Sequence, residues 1–177
     1  MPGAPKASSD DARSKPAAAR WSRDPRFDTR ALAVGTAACG VLTAGIAVVA
    51  AWVTRSHASP DIGPTAAALS EGFAALAGAA LGLVLGCAIA ACAARTGSRL
   101  ATGLLAGALG YALIVVPVDV ATAPSDVSLG ESISFALFDA VPLTVAATVG
   151  ATIGAAVGAS TARIRRRSDG TNSHAAV

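Results

Sequence analysis

Residues 72–94 read GFAALAGAALGLVLGCAIAACAA, an unbroken apolar run closed by Arg95. About 20 such residues cross the ~30 Å hydrocarbon core of a bilayer as an α-helix. The run is continuous rather than alternating, which fits a helix and not a barrel strand. Working outward from it, three more runs of the same kind appear: Ala31 to Val53, Leu100 to Val118 and Ser132 to Ala162. Charged residues make up 14% of the chain, against about a quarter in a soluble domain. The sequence therefore predicts an all-α integral membrane bundle of four transmembrane helices, with spans at about 31–53, 68–94, 100–118 and 132–162. A single membrane domain, 29–165, sits between two polar tails, 1–28 and 166–177, whose composition predicts disorder. The first run is longer, and begins further into the chain, than the ~7–15-residue apolar core of a signal peptide. It is therefore read as a span.

Lys and Arg are sorted by segment. Seven precede the first run, Arg55 alone lies between runs one and two, Arg95 and Arg99 lie between two and three, and none lies between three and four. Arg163, Arg165, Arg166 and Arg167 follow the last run. Cytoplasmic segments hold the Lys/Arg excess, so both termini and the middle turn are expected inside and the two longer connections outside. Arg30, Arg95, Arg99 and the Arg163–Arg167 group then anchor the inner surface. Trp52 belongs to an outer aromatic belt with Phe73, Phe135 and Phe138. This sorting accounts for the +3 net charge without nucleic acid; the lipid bilayer is the expected partner. The basic and aromatic stretch Arg20–Phe27 suits an anionic inner leaflet. A strong preference for Arg over Lys, with spans filled by Ala and Gly, points to a bacterial plasma membrane.

Local signals mark the helix ends. Asp28 or Thr29 is placed to N-cap the first span, Pro64 suits the first turn of the second helix, and Ser128-Leu-Gly-Glu131 has the capping-box spacing. The segment Asp119 to Gly130 reads as an acidic outer loop.

Displacing the chain by 68 residues lays one hairpin on the other. Glu71 falls on Asp139, Gly82 and Gly86 on Gly150 and Gly154, and Arg95 and Arg99 on Arg163 and Arg167. Two duplicated helical hairpins, in a parallel repeat, are one reading of this register; shared Ala/Gly composition is the other. Gly78, Gly82 and Gly86, then Gly150, Gly154 and Gly158, form GxxxGxxxG rows, and Gly103 and Gly107 form a shorter one. Such rows let helix backbones approach closely in lipid, where apolar contact alone gives no drive to associate. They serve either packing within the chain or packing against a second copy or another membrane protein. Thr144, Thr148 and Thr152 recur on the opposite face of the fourth span, suited either to bonding their own backbone or to lining a contact.

Ionisable groups at membrane depth are functional candidates, and Glu71 and Asp139 are the acids within or beside the spans. Each lies 24 residues from an inner arginine, about 36 Å along a helix against a ~30 Å core, which places both near the outer headgroup level. Each shares the face of its own helix's glycine row, and Pro142 follows Asp139 within a turn. They are read either as an outer polar cap or as a carboxylate pair forming an ion or proton site. Cys39, Cys87 and Cys92 have no ligand spacing and read as small packing residues. His57 and His174 stand apart in the sequence. Neither a catalytic constellation nor a metal or cofactor motif can be assembled, so the chain is not read as an enzyme. Two functions are expected from the sequence. The first is a non-enzymatic assembly, accessory or scaffold subunit acting through its glycine faces. The alternative is a small proton- or cation-coupled transporter or channel using Glu71 and Asp139.

Overall fold

The computed structural model describes residues 28–58, 61, 63–95, 97–122 and 128–174, with 122, 129, 132 and 167–174 described by their backbone alone. Within them the protein is all-helical. It comprises α1 (Thr29–Ser56), α2 (Pro64–Ala93), α3 (Arg99–Gly110), a π-helical turn (Tyr111–Val115), α4 (Val116–Thr122) and α5 (Leu129–His174). Together α3, the π turn and α4 make one continuous rod. Four helical segments are long and apolar enough to cross a membrane: Thr29–Ser56, Pro64–Ala93, Arg99–Ala121 and Ile133–Arg166. The residues before 28, including Arg20–Phe27, and the side chain of Arg167 lie outside the described part.

The helix ends form where the capping chemistry places them. The Asp28 carboxylate accepts from the amides of Arg30 and Ala31, each at 3.2 Å. Pro64 occupies the start of α2. Ser128 and Glu131 close a reciprocal box: the Glu131 carboxylate accepts from the Ser128 amide at 3.0 Å, and the Ser128 hydroxyl accepts from the Glu131 amide at 3.3 Å. These donors hold the Glu131 carboxyl below the usual carboxylate range.

Two segments extend further than the sequence predicts. The third rod reaches Thr122, so Asp119 lies on a helix and not in a loop. Helix α5 continues to His174, through the stretch from residue 166 expected to be disordered. Once a helix is nucleated each added residue gains one hydrogen bond, and the Arg163–His174 stretch holds no proline to stop it.

Helices α2 and α3 each pack against the other three rods, while α1 and α5 form no comparable pair with each other. Small residues set these contacts. A Cβ added to Gly82 or Gly86 would fall on the α1 backbone at Thr43 or Cys39. One added to Gly78 would lie 2.7 Å from the Ile46 carbonyl. The second row meets a different helix: Gly150 and Gly154 abut the backbone of Val84 and Ala88 on α2, and Gly158 abuts Cys92 and the Arg99 guanidinium. Helix α1 therefore runs antiparallel to α2, and α5 parallel to it. The positions that the 68-residue displacement equates thus contact different helices. Gly103 and Gly107 sit against Cys87, Ala147 and Ala151.

Both long glycine rows are used inside the chain. The larger apolar residues, such as Val34, Val41, Leu85, Val149 and Ile153, point outward. In lipid this arrangement is stable, because a large apolar side chain loses nothing by facing hydrocarbon whereas backbones gain dispersion by touching.

Candidate functional site

The bundle has two ends. At the tail end α1 begins, α2 ends, α3 begins and α5 leaves; at the loop end lie the two longer connections. Toward the tail end the helices close on a core of Ala, Gly, Cys and Thr. Cys39 and Cys87 are fully buried with their sulfurs 3.7 Å apart, as packing thiols. Cys92 is exposed. Arg99 is half-buried, and its Nε donates to the Ala94 carbonyl at 2.8 Å. It thus caps the end of α2 in addition to any lipid contact. Arg30, Arg95, Arg163, Arg165 and Arg166 are exposed, as anchoring requires.

Toward the loop end the helices part around a cavity of about 1080 Å³. All four rods contribute to its wall. The polar groups on it are Thr43 and Arg55 from α1, Tyr111 from the π turn, Asp119 from α4 and Asp139 from α5. The remainder is apolar, with Phe73, Phe135 and Phe138 among the larger side chains.

The two acids that the sequence pairs have different surroundings. Glu71 is joined to Arg55 by two hydrogen bonds, Nε to Oε1 and Nη2 to Oε2, each at 2.8 Å. This is the bidentate geometry that guanidinium and carboxylate favour. Glu71 is therefore neutralised across the α1–α2 pair. Asp139, the other acid of the expected pair, lines the cavity with Asp119 and Tyr111. Helix α1 extends through Ser56, which places Arg55 on a helix facing Glu71 rather than in the expected loop.

Asp119 is brought in by the π turn. In a regular α-helix the eight positions from Tyr111 to Asp119 leave Asp119 about 80° round from Tyr111. A π turn absorbs one extra residue, so the effective count is seven and the offset falls to about 20°. Both side chains then share a face, and both line the cavity. Pro117 gives the turn its reason. A proline ring inside a helix clashes with the carbonyl four residues earlier and has no N–H to offer it. Immediately before it the ladder widens, with the Val116 amide donating to the Tyr111 carbonyl. The Tyr111 hydroxyl then crosses to α5 and donates to the Ala136 carbonyl at 3.2 Å. A proline two positions before an acid, late in an apolar run, was the available signal for this residue.

Thr43 is the other residue the sequence did not single out. Helical threonines in lipid bond their own backbone, and Thr36, Thr54, Thr144, Thr148 and Thr152 all do so here. The α5 threonine row is thus satisfied within its own helix. Thr43 and Thr102 differ: both are fully buried, and among the described residues neither hydroxyl has a hydrogen-bond partner. Thr43 lies on the cavity wall, one helical turn from the Cys39–Cys87 contact. A buried hydroxyl left unpaired is unfavourable by about 1–3 kcal/mol, and the Thr43 oxygen is closed off from the cavity, with almost no accessible surface.

Among the described residues, His, Cys, Asp and Glu do not gather in groups of three that could hold a metal ion. Comparison of the chain with protein-family models, with curated proteins and with solved structures gives no match.

Proposed function

We propose that this chain is a small multi-pass membrane transporter that takes a cation into the loop-end cavity, with Asp119 and Asp139 as its binding groups. The observation behind this reading is that two aspartates from different rods, Asp119 and Asp139, line one cavity whose arginine is already paired with Glu71. Ionisable groups at membrane depth are retained where they serve passage or binding. Glu71, a ligand in the sequence reading, becomes a latch that keeps Arg55 from competing for the site.

The Lys/Arg sorting supports an orientation with both termini in the cytoplasm. The cavity then opens outward, in a bacterial plasma membrane. Beyond Thr43 glycine-mediated contacts bring the helix backbones together, which supports an outward-open transporter over a conducting pore. Release to the inside requires the α1–α2 and α2–α5 rows to shift, with the loop end closing in exchange.

The rival reading, an assembly or accessory subunit acting through helix packing, loses support because the two long glycine rows are occupied within the chain. Purification in gentle detergent with mass measurement bears on it directly: a stoichiometric second protein would favour that reading.

The proposal is tested in proteoliposomes by following uptake of protons, rubidium and methylammonium. Asp119→Asn with Asp139→Asn is expected to lower uptake at least tenfold while the helical circular dichroism is unchanged. A folded double variant that transports at the wild-type rate refutes the site.

A further inference from the structure

We infer that the tail end holds one acidic phospholipid at a specific site, its phosphate on Arg99 and neighbouring arginines and its acyl chains along α3 and α5. The inference is independent of the cation reading above.

The reasoning begins with the division of charge between the two ends. Among residues with described side chains, the loop end carries Arg55 against Asp61, Glu71, Asp119, Glu131 and Asp139, and Arg55 is paired with Glu71. The tail end carries Arg30, Arg95, Arg99, Arg163, Arg165 and Arg166 against Asp28. The Asp28 carboxylate is turned to the first amides of α1. These arginines stand at headgroup depth, because Arg99 opens the third span and Arg166 closes the fourth. Basic pockets between membrane helices at that depth suit lipid phosphates, which guanidinium binds in bidentate fashion.

Arg99 is the built part of the site. It is half-buried, and its Nε is tied to the Ala94 carbonyl at 2.8 Å. Its Nη1 lies over Gly158 of α5, where an added Cβ would stand 2.9 Å from that nitrogen. Gly150 and Gly154 meet the α2 backbone, whereas the last glycine of the row seats a guanidinium. Held at two points, this side chain loses its rotamer freedom on folding rather than on binding, which favours a ligand. One of its five N–H donors is used on Ala94, and the outer nitrogens remain for an acceptor. Arg95 in the preceding turn, and Arg166 eight residues after Gly158 on α5, are exposed on the two elements that flank this seat.

The apolar surface beside it identifies the anion as a lipid. Leu100 and Leu104 on α3, with Val157 and Ile164 on α5, are exposed. They lead from the arginines into hydrocarbon, where acyl chains gain contact by lying along them. A soluble phosphate ester has no use for that surface. A lipid seated there touches α3 and α5 together and ties the last helix to the turn that follows α2.

The test is native mass spectrometry of the purified full chain, released from nonionic detergent containing equimolar dioleoyl phosphatidylglycerol and dioleoyl phosphatidylcholine. One retained phosphatidylglycerol per chain is expected, favoured at least fivefold over phosphatidylcholine. Arg99→Gln should abolish that preference, and Arg95→Gln/Arg166→Gln should lower it severalfold. Arg30→Gln, on α1, which forms no comparable pair with α5, should leave it unchanged.

Equal retention of the two lipids by the wild type overturns the inference, as does an undiminished preference in a folded Arg99→Gln variant. If Arg99→Gln does not fold, the Arg95→Gln/Arg166→Gln variant decides: a lowered preference supports the site and an unchanged one overturns it. A loss in Arg30→Gln as large as in Arg99→Gln also overturns it, by reducing the site to a diffuse ring of charge. Displacement of the lipid by inorganic phosphate does so too, by assigning the arginines to a free anion.

Discussion

The tail-end and loop-end halves of the bundle draw on the same apolar residues and the same four rods, yet one is shut and the other open. Gly35, Gly82, Gly86, Gly103, Gly107, Gly150 and Gly154 lie in the shut half, and a Cβ on any of them meets a neighbouring helix. Gly72 lies in the open half and meets nothing, as does Gly45, which is level with the Gly78–Ile46 contact but on an exposed face of α1. Buried residues follow the same division. In α1 they end at Thr43 and in α2 they begin at Gly78. The difference teaches that a glycine in a membrane helix is informative through its register with a facing backbone and not through its presence.

The comparison breaks most readily at the zipper. Gly82→Leu or Gly154→Leu drives a side chain into backbone and should destabilise the bundle by ~3 kcal/mol or more, read as a lower midpoint in denaturant-driven unfolding followed by circular dichroism. Gly45→Leu and Gly72→Leu should each stay within ~0.5 kcal/mol of the wild type. An equal loss in Gly72→Leu would mean that the loop end is packed in solution.

Next in size is Pro117→Ala. Restoring the amide lets the π turn relax to regular α-helix, gaining stability of up to ~3 kcal/mol while rotating Asp119 away from Tyr111. Raised stability with weakened cation binding is the expected pairing; raised stability with unchanged binding would separate Asp119 from the site.

Smaller still is Thr43→Val. Replacing a buried unpaired hydroxyl by a methyl should leave stability unchanged or raise it by up to ~1 kcal/mol, read as the midpoint of denaturant-driven unfolding. A clear loss of stability would show a partner within the protein.

The smallest effect concerns the Ser128–Glu131 box, held at the loop end by hydrogen bonds rather than packing. The Glu131 carboxyl is depressed in the folded state by the Ser128 amide and hydroxyl. Its contribution is therefore complete above the ordinary carboxylate range near ~4.3 and is lost as pH falls through the lowered folded value. Amide exchange at Gly130 and Glu131 should speed up over that acidic window in the wild type and show no such step in Glu131→Gln.

Much of the framework was readable from residues alone. Length and apolarity gave four spans. Asp28, Pro64 and the Ser128–Glu131 box gave helix starts, because capping is local chemistry between near neighbours. The glycine rows gave contact faces, but not which helix each face meets, since that depends on how the rods assemble. Of the groups on the cavity, the sequence singled out Asp139, from its place beside an apolar run. Arg55 was missed because α1 is longer than its apolar run. Asp119 was missed because one wide turn before Pro117 changes the helical phase, and Thr43 because a hydroxyl's missing partner is visible only when its surroundings are known.

The parallel docking of α5 on α2 has a consequence for synthesis. The first two helices contain each other's packing partners and can zip as soon as Ala93 has emerged. The glycine row of α5 has its partners at Val84, Ala88 and Cys92, made long before it, and shares a smaller surface with its own hairpin mate α3. A chain divided in the turn between α2 and α3 would yield an amino-terminal fragment that holds together and a carboxy-terminal fragment that waits for it. The early hairpin acts as the template on which the later one takes its shape.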